Sequence, residues 1–122
     1  NFAGSLSDDS TSVHCWGEGI YRSLGDGTDD SSAPPVAVIS DDPDFGTSPF
    51  VDVSGVYRTM CALDAAGRLF CWGDNSSVNP TAGREAIPGG TMTYEPRALR
   101  VVLPSSAVAI AIGFRFGCAL LD

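Results

Sequence analysis

The segment Val13-His14-Cys15-Trp16-Gly17 returns 56 residues later as Leu69-Phe70-Cys71-Trp72-Gly73, and Cys61-Ala62-Leu63 returns 57 residues later as Cys118-Ala119-Leu120. With 4 Cys and 2 Trp in 122 residues, a repeated Cys-Trp-Gly is no accident of composition, and the chain reads as internally duplicated. A repeat of this length that holds several short strands cannot bury its apolar faces alone. It must stack on a neighbour, as the blades of a propeller do. Between these anchors the register drifts. Pro35 aligns with Pro96 at a longer offset, which places insertions in loops. They are Gly25-Asp26-Gly27-Thr28 and Asp41-Asp42-Pro43-Asp44 in the first copy, and Asn79-Pro80-Thr81-Ala82-Gly83 and Pro88-Gly89-Gly90 in the second.

One copy predicts four strands, at about 35–39, 50–54, 59–63 and 68–73, with Asp64-Ala65-Ala66-Gly67 turning the hairpin between the last two. The second copy repeats the first three at about 96–102, 107–112 and 116–121. Val108, Ile110 and Ile112 alternate with Ala109 and Ala111, so this strand is expected to be buried on both faces, one bulky and one small. That suits the innermost strand of a blade, and β-branching together with Gly113 opposes a helix through 105–116. With 14 Gly and 8 Pro, acidic residues that are mostly Asp, and no Lys or Gln, composition also favours turns and short strands over long helices. The fold class expected is all-β, about two propeller blades with the ring open within this chain. The organisation expected is an irregular leader or partial blade at 1–12, a first repeat at 13–73 and a second, truncated repeat at 74–122.

The net charge of −8 sits entirely in the first 44 residues, where nine acidic side chains, Asp41, Asp42 and Asp44 among them, face only Arg22. So acidic a domain offers no basic stripe for a phosphate backbone or an anionic membrane, which excludes nucleic acid as the expected partner. No stretch is apolar enough to insert in a bilayer. The acidic loops themselves read as solvated surface.

Cys15-Trp16-Gly17, then Leu24-Gly25-Asp26-Gly27-Thr28, Pro35, Phe50-Val51-Asp52-Val53-Ser54, Cys61-Ala62-Leu63, Gly67 and Cys71-Trp72-Gly73 together resemble one full repeat of the RCC1 type, the regulator-of-chromosome-condensation propeller. The resemblance spans about two repeats. Its cysteine-containing form is similar to repeats of secreted bacterial proteins and of crinkly-type plant receptor-kinase ectodomains. There are departures. The Asn two places after the Cys-Trp-Gly glycine is met by Asn75 but not by Gly19, and Arg22 and Ser23 stand where Gly and Gln usually precede Leu-Gly. The His two places before the Cys-Ala-Leu cysteine is Thr59 in one copy and Phe116 in the other, and the second copy lacks Leu-Gly-Asp-Gly-Thr.

The cysteines include no Cys-x-x-Cys and no His cluster, so no zinc site is expected. Cys61 and Cys71 fall close to facing positions across the predicted hairpin, where a disulfide fits, and two reduced buried thiols remain the alternative. Ser5 stands where a partner for Cys15 would fall. Cys15 and Cys118 are therefore candidates for an inter-chain disulfide or for bonds to flanking sequence. His14 is the only histidine and its neighbour Cys15 points to the opposite face, so no catalytic site, metal or cofactor is expected. Asp26, Thr28 and Asp30 have a calcium-like spacing but lack the rest of such a loop, and a turn is the simpler reading. Trp16 and Trp72, at equal repeat positions, are expected to pack between blades. Asn75-Ser76-Ser77 is a candidate N-glycosylation site.

Two blades cannot close a ring. Three accounts follow: a portion of a longer propeller, a subunit that builds a ring or filament with copies of itself, and a free-standing sheet pair. The function expected is a noncatalytic extracellular or cell-surface structural and adhesive module with protein partners. The alternative is a ligand-recognition ectodomain for peptide or glycan, as the crinkly resemblance implies, and a guanine-nucleotide-exchange propeller stands further off.

Overall fold

A computed structural model describes residues 2–6, 11–17, 24–28, 32–56, 59–74, 94–113 and 116–122. Among these residues nine strands form three antiparallel sheets. The first has the order β1 (Phe2–Leu6), β2 (Val13–Gly17), β3 (Ser32–Ala37). The second has the order β4 (Phe50–Val56), β5 (Thr59–Asp64), β6 (Leu69–Asp74), β7 (Tyr94–Val101), and the third pairs β8 (Ala107–Gly113) with β9 (Phe116–Leu121). The sequence repeat is offset from the sheets: 13–73 gives β2 and β3 to the first sheet and β4, β5 and β6 to the second.

Elementary turn chemistry fixes the central hairpin. Asp64 Oδ1 accepts from the backbone N–H of Ala66 at 3.0 Å and of Arg68 at 2.9 Å, while Gly67, at φ 83°, closes the turn. The resulting register sets Cys61 opposite Cys71 and Met60 opposite Trp72. Period-two alternation then sends Met60, Ala62, Phe70 and Trp72 to one face and Cys61, Leu69 and Cys71 to the other. The first set packs against Val13 and Cys15 of β2 and against Leu24 and Val38 beside the first sheet, and the second set is covered by Val101, Leu103 and, from β8, Ile110 and Ile112. The segment after β3 is hydrogen-bonded to β7, with the backbone N–H of Ala98 donating to Ile39 O at 2.8 Å and the Ser40 hydroxyl donating to Ala98 O at 2.6 Å.

The structure corrects several sequence expectations. Of the two readings of 1–12, irregular leader or partial blade, the strand β1, paired along its length with β2, fits the partial blade. Gly4, not Ser5, faces Cys15, because the connection between β1 and β2 is longer than the Asp64–Gly67 turn and shifts the pairing by one residue. Val36 faces Cys15 as Leu99 faces Cys71, so Pro35 corresponds to Ala98 and not to Pro96. The strand expected at 35–39 is Ser32–Ala37, an edge strand, where prolines cost no ladder hydrogen bond. β8 is not buried on both faces: Val108 is 57% exposed, and Ala109 and Ala111 face outward. A bulge between Ala107 and Ala109 explains Val108, and the same irregularity recurs between Phe50 and Asp52, where Val51 is exposed.

Candidate functional site

Cys61 and Cys71, both buried, are joined by a disulfide with their Cα atoms 4.1 Å apart, as directly facing residues on adjacent antiparallel strands allow. Cys15 and Cys118 are free thiols, the first buried and the second exposed. Burial pushes the Cys15 thiol up to about 12, with the charge of Asp26 adding to the effect, so this sulfur is protonated and inert near neutral pH. The structure does not suit the inter-chain pairing of Cys15 with Cys118. β2 is already flanked by β1 and β3, and Cys15 lies wholly within the core, so a second copy would first have to displace β1.

Trp72 is fully buried and wedged between sheets, whereas Trp16 is only half-buried. Equal positions do not give equal burial here. Trp72 finds its wall in the first sheet and its following turn, and the described residues place no sheet beyond the first for Trp16 to meet. The wall is tight: a Cβ added to Gly25 would lie 2.8 Å from Trp72 Nε1 and 2.9 Å from Val38 Cγ1, and Gly25 has φ 70°. Gly25, expected in a loop insertion, is buried with Leu24, and Ile39 N–H donates to Gly25 O at 2.9 Å. Asp26 makes the ensuing turn, its Oδ1 accepting from Thr28 N–H and Oγ1. Asp30 of the calcium-like spacing and the Asn75 sequon lie outside the described residues. Among the described residues no cluster of three or more His, Cys, Asp or Glu could hold a metal ion, and no helix is long and apolar enough to cross a membrane.

Residues 50–77 match the family described as the regulator of chromosome condensation (RCC1) repeat. The fold is similar over 99% of this chain to human WBSCR16, with a TM-score of 0.80 at 18% identity. It is also similar over the whole chain to Prp20p of Saccharomyces cerevisiae, with a TM-score of 0.78 at 14% identity. In a complex of Kap60 with yeast RCC1 (Prp20), the likeness covers 90% of this chain, with a TM-score of 0.67 at 16% identity. Residues 50–77 carry an RCC1-type repeat, and the fold over the whole chain is that of an RCC1-like propeller. It spans 28%, 29% and 25% of those three chains respectively. No curated sequence relative matches it.

In RCC1-type terms, the second sheet is a complete four-stranded blade, and the chain is a propeller module whose ring is open. The acidic loop before that blade is not simply solvated, contrary to expectation. Asp41 pairs with Arg97 at 2.9 Å, Asp42 with Arg100 at 3.1 Å, and Asp44 with Arg100 and, at 3.5 Å, Arg68. Arg68 also binds the buried Asp64 at 2.7 Å, and Arg100 lies 5.7 Å from the centroid of the Phe70 ring. The Arg100 guanidinium holds the Asp44 carboxyl below the usual carboxylate range, chiefly by hydrogen bonding. No local signal could have found the Arg97 and Arg100 pairs, since their members sit 56 to 58 residues apart. His14 is half-buried on β2, opposite Ser5 and Ala37.

Proposed function

We propose that this RCC1-type module is a noncatalytic recognition and adhesion domain that works outside the cell or at its surface and binds protein. The observation that carries the reading is the Cys61–Cys71 disulfide, because a facing, buried cysteine pair persists as a disulfide in oxidising compartments and is kept reduced in the cytosol and nucleus. Protein as the class of partner is supported by its solved neighbours: Prp20p was characterised for binding to Gsp1p and histones, and was seen bound to Kap60. The test is surface biotinylation of intact source cells with thiols blocked at lysis. The reading expects the chain in the labelled fraction with Cys61 and Cys71 linked.

A second reading, an intracellular exchange-type propeller, is favoured by the likeness to Prp20p. It expects a nuclear or cytosolic pool with free thiols and acceleration of nucleotide release from a small GTPase. Within the first reading, a saturable ligand on a peptide or glycan array marks a recognition ectodomain. Concentration-dependent self-association without such a ligand marks a structural role.

A further inference from the structure

We draw no further inference here: the strongest candidate, the loop of residues 41–48 clasped by Arg68, Arg97 and Arg100 beside the second sheet, is an acidic cluster whose Asp41, Asp42 and Asp44 carboxylates are already paired within the chain, and nothing in the structure points to a ligand or partner for it.

Discussion

Substituting Gly25 by Ala probes the contact that joins the first two blades. The added methyl would sit 2.8 Å from Trp72 Nε1, 2.9 Å from Trp72 Cδ1 and 2.9 Å from Val38 Cγ1, all below the distances real Cβ atoms tolerate. Gly25 also has φ 70°, where an L-residue pays about 1 kcal/mol. Neither neighbour can yield easily, since Trp72 is wholly buried and Val38 is 5% exposed. Overpacking of this kind adds about 1–3 kcal/mol, so the variant should lose roughly 2–4 kcal/mol in all. Gly27→Ala supplies the reference. It has φ 87° but its Cβ would meet Ile39 Cδ1 at 3.4 Å, an ordinary contact, so it should lose only the backbone part, about 1 kcal/mol. Urea denaturation of both variants, followed by tryptophan fluorescence, measures the difference, which isolates the wedge. Equal losses for the two glycines, or none for Gly25→Ala, would refute the packing argument.

Three further outcomes follow from the same geometry. Trp72→Ala should cost about 3–5 kcal/mol, with Trp16→Ala costing markedly less because it is half-buried, and paired denaturation curves check the order. Cys15 has a thiol pKa of about 12 in the folded chain against its usual 9.0, so below pH 9 both states are protonated. Between pH 9 and 12 only the unfolded chain ionises, and stability should fall by about 1.4 kcal/mol per pH unit from this group, a slope that Cys15→Ala removes. Asp44 has a depressed pKa, so its contribution is present above the ordinary carboxylate value of 3.8 and is lost as pH falls through the lower, folded value. Acid titration of Asp44→Asn should lack that component, and salt should weaken it in the natural sequence, as an exposed pair requires.

Much of the blade was legible because its determinants are local. Cys-Trp-Gly and Cys-Ala-Leu mark β6, β2, β5 and β9, and Asp64 to Gly67 encode their own turn, so the facing of Cys61 and Cys71 follows from counting along a hairpin. What escaped depends on distance. The register of Cys15 against Gly4 is set by a connection whose length, not its composition, decides the pairing. Leu24 and Gly25 look like turn residues, and only the arrival of Trp72 from the next sheet makes them core. Val108 breaks the alternation through a bulge, although the equivalent Val51, 57 residues earlier, carries the same signature in the repeat. The acidic loop reads as solvated until β7 brings Arg97 and Arg100 beside it.

The claim that this RCC1-type module works in an oxidising setting is tested most directly by non-reducing peptide mapping of the natural protein, with free thiols alkylated at the moment of lysis. The account predicts a linked peptide pair joining Cys61 to Cys71. Recovery of Cys61 and Cys71 as two alkylated thiols from freshly lysed cells would contradict it.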